Sequence, residues 1–493
     1  MKKLVLICIP HWNGRDFSLL QILLAGRVRA ARDGAEPNRL ISIPKGIVNG
    51  LVVATCLQTA AMADDWPQFR GPNNSGVSAE SQAPSQWSDM RNLAWSHKIP
   101  GYGWSSPIVV GDKIILTTAI TDKQEAPKGL SLGNFGFVKL PGAVYRWEVH
   151  CLDRNTGKTL WSQIALEGKP RIAATPGNTY ASETPISDGV CVYAYFGMHG
   201  VYCYNLDGKK LWQRDLGVYK MLMNWGTGSS PALEGDRLFI LCDNEEKSFL
   251  VAMDKKTGKD LWRVSRDEKS SWTTPFVWRN RVRVEIVAAG AGAIRSYDPA
   301  DGRILWQLKR PAASAMSYVN ATPVGSESML YVAGGSKPGS SPLWAVKAGA
   351  SGDISPKAGE ASNAGIAWSS PRACPPMASP LLYKDYLYIL MQNGILMCLD
   401  ATNGQELYKE RLKGAKSLTS SPWAYDGKLY CLDEDGQTFV VEAGSKFELA
   451  DKNQIRDRFW ATPALSRDAV YLRGVDRLWC IRKQTGGPNG SPP

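Results

Sequence analysis

The sequence predicts an all-β fold: an eight-bladed β-propeller of four-stranded antiparallel blades, its ring closed by the N-terminal strand. Three observations lead to it. A Ser/Thr-Pro pair recurs eight times, ending at Pro107, Pro185, Pro231, Pro275, Pro323, Pro380, Pro422 and Pro463. The spacings are 78, 46, 44, 48, 57, 42 and 41 residues, most of them close to the length of one four-stranded blade. An aromatic residue closes seven of the units, at Trp161, Trp212, Trp262, Trp306, Trp368, Tyr408 and Phe447.

Residues 228–262 show how one unit is built. Ser229-Ser230-Pro231 opens a short apolar strand, and Gly235-Asp236 is a turn pair. Arg237 to Cys242 is a second strand, Asn244 to Ser248 a polar loop, and Phe249 to Met253 a third strand. In Asp254-Lys-Lys-Thr-Gly258 the carboxylate can cap backbone N–H groups while Gly takes a positive φ. Leu261-Trp262 begins the fourth strand. Four short strands cannot bury both faces alone, so copies must stack.

The last opening, at Pro463, has no complete closing strand after it, and the chain reaches only Leu478-Trp479-Cys480-Ile481. Leu93-Ala94-Trp95, upstream of the first Pro, supplies the missing strand. A ring closed in this way leaves no exposed blade edge at its ends. A seven-bladed ring would require one of the Pro matches to be accidental.

The Ser-Ser-Pro, Leu-Asp-x-x-Thr-Gly-Lys and Leu-Trp elements resemble the pyrroloquinoline quinone (PQQ)-like β-propeller repeat, over about residues 93–482. Two groups share that repeat: PQQ-dependent dehydrogenases, and non-catalytic propellers similar to BamB, the scaffold lipoprotein of outer-membrane barrel assembly. The resemblance implies that the repeat tryptophans Trp161, Trp212, Trp262 and Trp306 pack between blades rather than bind ligand.

Residues 1–63 lie outside the repeat. They hold eight Lys/Arg against three Asp/Glu. A basic residue at Lys45, an apolar run over Ile47 to Leu57 and Ala61-Met62-Ala63 read as a secretory signal with cleavage after Ala63. The residues before it fit an over-long gene model, and Val53-Ala54-Thr55-Cys56 is a poor lipoprotein box. The expected organisation is an export segment over 1–63, a docking segment over 64–92, the propeller over 93–482 and a disordered tail over 483–493. In the docking segment, Trp66 and Phe69 are expected on the outside of the ring. No stretch after residue 63 is long enough for a transmembrane helix. The expected location is the periplasm or the cell exterior, as a monomer.

Without the first 63 residues the chain carries 50 Lys/Arg and 43 Asp/Glu. The densest cluster, Arg279-x-Arg281-x-Arg283, alternates as along one solvated strand face. Nucleic-acid binding needs a basic stripe that tracks phosphates, and none is visible. Cys151, Cys203, Cys398 and Cys480 share one position in the third strand, where other copies have Ala252, Ser296 and Ala345. They read as small buried residues with free thiols. His97, His150 and His199 lack metal-ligand spacing, so no metal site is assigned.

Departures from the repeat fall at residues 121–146, 166–181 and 214–227, and strand direction puts all three on one face of the disc. Gly349 to Gly365 falls on the opposite face and reads as a mobile loop. The copies also supply an internal control for the site. Two residues before each Pro stand Ser105, Glu183, Ser229, Thr273, Ala321, Ala378, Ser420 and Ala461, so one carboxylate faces seven small residues. That carboxylate is expected at the channel mouth, either as a ligand group or paired with Arg171. One residue further back, Trp104, Trp272 and Trp460 share a ring position with Asn320, and Trp225 stands in the third insertion. An aromatic binding platform and plain blade packing both fit these tryptophans. The candidate ligand-binding set is therefore Glu183, Trp104, Trp225, Trp272, Asn320, Trp460 and Arg171, with no catalytic residue.

The favoured function is an exported binding or scaffold module for a protein, glycan or small ligand of the cell envelope, with no cofactor. The alternative is a PQQ-dependent oxidoreductase using PQQ with Ca²⁺. Trp272, Glu183 and Asn320 would nominally serve it, but no base is identifiable and the vicinal disulfide of the family's large alcohol dehydrogenases is missing.

Overall fold

The computed structural model describes residues 65–484, apart from 80, 124, 128–138, 311–317, 336–341 and 358. The export segment, Gly129 to Phe137 of the first insertion and most of the C-terminal tail thus lie outside the described residues. Among the described residues the strands form eight sheets, seven of four strands and one of five. Every blade is an antiparallel meander from the channel outward, as in Ala232–Glu234, Arg237–Cys242, Phe249–Asp254 and Asp260–Ser265. Blade eight takes its outer strand from Leu93–Lys98, with Trp95 opposite Cys480 and Ser96 opposite Trp479. The ring is an eight-bladed propeller closed by its N-terminal strand.

The Ser/Thr-Pro pairs have a physical cause. The innermost strand has no neighbour on its channel side, and Pro at its entrance has no N–H to leave unpaired. The Ser or Thr before it donates its backbone N–H to the hydroxyl of the equivalent residue in the next blade. Seven such links, 2.9–3.2 Å long, run from Ser106–Thr184 to Ser421–Thr462. At the seam between blades eight and one, Arg473 of blade eight reaches across instead. It donates to the carbonyls of Ser105 (2.9 Å) and Thr117 (2.6 Å) and to the Ser105 hydroxyl. Burial lowers its pKa to about 9.

The core is divided into slabs between adjacent blades. Val192 and Tyr204 of blade two meet Val149 and Cys151 of blade one, and Ile240 and Val251 of blade three meet Tyr193 and Cys203 of blade two. The outer edges of the slabs are sealed by the repeat tryptophans. Trp95, Trp161, Trp212, Trp262 and Trp368 each lie on the turn glycine of the next blade: Gly157, Gly208, Gly258, Gly302 and Gly404. Four of these indoles also donate to a carbonyl of that turn, at 3.0–3.2 Å. A register shift beside the aromatic recurs from blade to blade, a β-bulge that re-aims the side chain. In the turn itself Asp254 Oδ1 accepts the N–H groups of Lys256 and Thr257 and the Thr257 hydroxyl.

Several expectations are corrected. Trp306 packs between blades four and five as implied, in one core with Trp344 and Val346, but it covers no turn glycine and instead donates to Glu285 at 2.7 Å. Blade five lacks the Thr-Gly turn that would receive it. Residues 349–365, expected as a mobile loop, carry Gly352–Asp353 back to blade four as a fifth, parallel strand beside Trp306 and Gln307. Phe447 precedes the outer strand of blade seven, Leu449–Gln454, where Asp451 holds the aromatic's position opposite Val440; Phe447 instead packs edge-on against Tyr408. Arg279 ends a strand while Arg281 and Arg283 belong to the following turn and strand approach, so the three do not share a face. Arg279 pairs with Glu234 and Arg283 with Glu285.

The docking segment is not outside the ring. Trp66 is buried and bridges to Val109 of the inner strand of blade one, Pro67 accepts from Ser187 of blade two, and Arg70 donates to the Pro380 carbonyl of blade six at 2.6 Å. Val77 bridges to Ala424 of blade seven. The segment thus crosses the end of the channel where the Gly-Asp turns lie, and Phe69 faces the channel from below. The channel is a cup, closed at that end. The free volume of the channel therefore opens on the insertion-rich face.

Two outcomes are expected. Gly258→Ala places a Cβ 2.6 Å from the Trp212 ring at a φ of +69°. It should lower stability by more than about 1 kcal/mol in urea unfolding, whereas an unchanged midpoint would show that the tryptophan contact is slack. Deleting residues 65–98 should expose the edge Arg477–Arg482 and give aggregates on size-exclusion chromatography; a monomeric, cooperatively folding product would contradict closure by the N-terminal strand.

Candidate functional site

Side chains alternate along each inner strand, and this sorts the residues before Pro into two sets. Those one and three positions before it face the channel, and those two positions before it turn into the blades. All eight residues of the outer channel ring line one cavity at the mouth: Trp104, Ser182, Gly228, Trp272, Asn320, Met377, Thr419 and Trp460. The cavity holds about 350 Å³, within the range of roughly 300–1,000 Å³ usual for small-molecule sites. Beneath it the Ser/Thr belt lines a narrower space of about 150 Å³ above Phe69.

The aromatic rings form two walls. Trp104 and Trp460, from blades one and eight, lie with centroids 5.1 Å apart and planes at 30°. Trp272, Trp225 and Tyr318 form the other, with centroids 5.3–5.8 Å apart. The indole N–H groups of Trp104 and Trp272 donate to the carbonyls of Gly177 and Gly226, both at 2.8 Å. These bonds fix the rings and leave their π faces as the contact surface. Asn178 ties the second and third insertions together: its Nδ2 donates to the carbonyls of Trp225 and Thr227, and its Oδ1 accepts from Tyr180 N and the Ser182 hydroxyl. Among the described residues no charged side chain lines the cavity.

Five of the expected site residues therefore meet: Trp104, Trp225, Trp272, Asn320 and Trp460. Two do not. Arg171 pairs with Asp215 at 2.9 Å on the rim and not with Glu183. Glu183 sits at the level of the mouth but points away from it, because it is two residues before Pro. Its carboxyl lies against Gly197 and Thr227, wholly buried, and Oε1 has no hydrogen-bond partner. Burial raises its pKa to about 7, opposed only in part by the Thr227 side chain and nearby backbone N–H groups. Tyr318, Asn178 and Gln392 were missed. Asn178 comes from the second insertion, Tyr318 from the connection between blades four and five, and Gln392 from the loop between strands two and three of blade six, and no periodic signal marks them.

The histidines are held by the fold. His150 lies 3.2 Å from both Glu148 and the Thr118 hydroxyl, and His199 stacks on Trp147 at 4.1 Å. Burial pushes the His199 pKa down to about 4. Among the described residues no group of three or more His, Cys, Asp or Glu is placed to hold a metal ion, and the eight cysteines are free thiols.

A family model described as "Outer membrane protein assembly factor BamB", of the PQQ-like repeat group, matches residues 197–348. The chain is a β-propeller similar to the PQQ-like group. This propeller is 22% identical over 278 residues to the outer membrane protein assembly factor BamB of Moranella endobia (strain PCIT), covering 54% of the chain and 65% of that relative. The chain thus spans a little under two thirds of the length of that curated relative. Among solved structures, BamB from Moraxella catarrhalis superposes with a TM-score of 0.55 at 11% identity, over 80% of this chain and 99% of that one. A quinohemoprotein alcohol dehydrogenase from Pseudomonas putida HK5 gives a TM-score of 0.53 at 11% identity, over 89% and 84%. At such identities both superpositions establish the shared fold alone. Among the described residues of the propeller no helix is long and apolar enough to cross a membrane.

The Glu183 environment yields a pH prediction. A carboxyl whose pKa is raised on folding binds its proton more tightly in the native state. Stability is then full below the unfolded value near 4.5 and falls as pH rises towards about 7. The loss is on the order of 3 kcal/mol. Glu183→Gln should match the wild type at pH 4.5 and exceed it at pH 8 in urea unfolding. A variant less stable than wild type at pH 8 would show that the carboxylate is ionised and paired.

Proposed function

We propose that this propeller is an exported, non-catalytic binding module that takes an uncharged ligand into the cup at its channel mouth. The observation that carries the reading is the lining: two aromatic walls, amide and hydroxyl groups between them, and, among the described residues, no charged side chain. Apolar faces with a few convergent polar groups are the usual character of a small-molecule site. Export rests on the basic residue, apolar run and small-x-small site over residues 45–63. The BamB-like architecture supports an envelope location and a protein partner on the insertion-rich face, where the long loops gather. The matched relative's name makes it an outer membrane protein assembly factor; a part in that assembly is a proposal for this chain.

The dehydrogenase reading asks more of the cup than the cup offers. When bound, PQQ supplies the electron-accepting quinone of such enzymes, beside a cation held by oxygen ligands. Trp272 and Asn320 could stack and ligate, but Glu183 faces away, and among the described residues no carboxylate or cationic side chain lines the cavity. The residues do not fit the group.

Tryptophan fluorescence of the purified chain tests both. Uncharged ligands from a small-molecule library should perturb the emission, and Trp272→Ala should weaken the best of them about tenfold or more, roughly 1.4 kcal/mol, with an unchanged circular dichroism spectrum. Quinone absorbance that stays with the protein through gel filtration after incubation with PQQ and Ca²⁺ would overturn the reading.

A further inference from the structure

A second cavity lies beside the cup on the same face. It holds about 240 Å³, and Tyr102, Tyr145 and Tyr180 line it together with Pro176. Thr175 and Asn178 border both spaces, so only this short stretch of the second insertion separates them. Tyr145 and Tyr180 meet edge to face at 5.3 Å. The outer end of the groove reaches Lys123 and Glu125, both exposed at the rim.

The polar groups of the cup specify the chemistry of a ligand. Asn320 spends its Nδ2 on the Pro376 carbonyl at 3.0 Å, which leaves its Oδ1 open. The Ser182 hydroxyl spends its proton on Asn178, leaving lone pairs. The Thr419 hydroxyl is buried at the cavity wall without a protein partner. The indole donors of Trp104 and Trp272 are spent as well. Open acceptors at Asn320 and Ser182 thus stand beside one hydroxyl, Thr419, that can donate and accept, between aromatic faces and, among the described residues, without a charge. An anion finds too few donors here, and a cation finds no carboxylate. A pyranose ring fits both requirements: its hydroxyls donate, and its C–H faces lie against indole.

We infer that the cup and the tyrosine groove are consecutive subsites for one linear, uncharged oligosaccharide, with one sugar in the cup and the chain running over Thr175–Asn178 to the rim. This rests on the cup being a binding site, as proposed above.

The test is a titration of the full mature chain with ladders of neutral malto-, cello- and chito-oligosaccharides, read by tryptophan fluorescence and calorimetry. For one ladder the affinity should rise about tenfold from the disaccharide to the tetrasaccharide and then level off. Tyr102→Ala and Tyr145→Ala should each remove that gain and leave disaccharide binding unchanged. Asn320→Leu should weaken every member, and a circular dichroism melt of each variant separates misfolding from lost contacts. Affinity that does not depend on length, or loss of disaccharide binding in both tyrosine variants, would overturn the two-subsite arrangement. No binding of any ladder, alongside fluorescence changes with other uncharged compounds, would overturn the saccharide assignment and leave the cup as a site. Tighter binding of alkylammonium salts than of any saccharide would overturn it too. Silence towards all compounds would sink the cup itself.

Discussion

Around the channel, seven backbone N–H groups each donate to the Ser or Thr hydroxyl of the next blade, and the rest of the structure hangs from that belt. The inner strands are edges facing a channel, and their backbone groups would otherwise be buried unpaired at a cost of about 1–3 kcal/mol each. The hydroxyl solves this locally. It also fixes the height of each blade against its neighbour, so the eight strand entrances lie level. The eighth interval has no such link, and there Arg473 spans the seam. A buried guanidinium held by carbonyl oxygens does across the seam what the hydroxyls do elsewhere.

The periphery depends on a second repeated contact. An indole over a turn glycine needs a residue without a Cβ and with a positive φ, and the Asp- or Asn-led turns ending in Gly157, Gly208, Gly258, Gly302 and Gly404 supply both. The belt holds the blades at the axis and the tryptophans hold them at the rim. Between the two, cores such as that of Tyr193, Cys203, Ile240 and Val251 are shared by neighbouring blades. No blade owns its core, which is why the ring must close. Where the turn is absent, in blade five, Trp306 folds inward and a strand from the insertion covers the blade-four edge instead.

The site follows from the same geometry. Level strand entrances put eight equivalent side chains in one ring, and alternation decides which of them face inward. Among the described residues, the channel itself keeps ligand-sized space at one end, because Trp66, Phe69 and Arg70 occupy the other. The insertions of the first blades then raise walls around the open end and bring Trp225 over Trp272, where Tyr318 joins them from the connection between blades four and five. An otherwise symmetric ring acquires one aromatic wall at blades eight and one and a second at blades three and four.

What the sequence by itself determined was everything that repeats. Ser/Thr-Pro openings, closing aromatics and Thr-Gly turns are local signals, each tied to a backbone requirement, so the blade count, closure through Trp95 and the ring of Trp104, Trp272, Asn320 and Trp460 were legible. The buried cysteines were legible too, since other copies place Ala252 and Ala345 at their position. Only the tertiary structure decided what does not repeat. The path of residues 65–92 across the channel end depends on contacts with blades one, two, six and seven, which no local pattern encodes. The direction of Glu183 was readable in principle from period-two alternation, but its partners were not: Arg171 lies near it in sequence yet is drawn to Asp215 across the next loop. Tyr318 and Gln392 come from loops with no periodic signal, and a loop residue joins a site only when the closed ring carries distant blades to one axis.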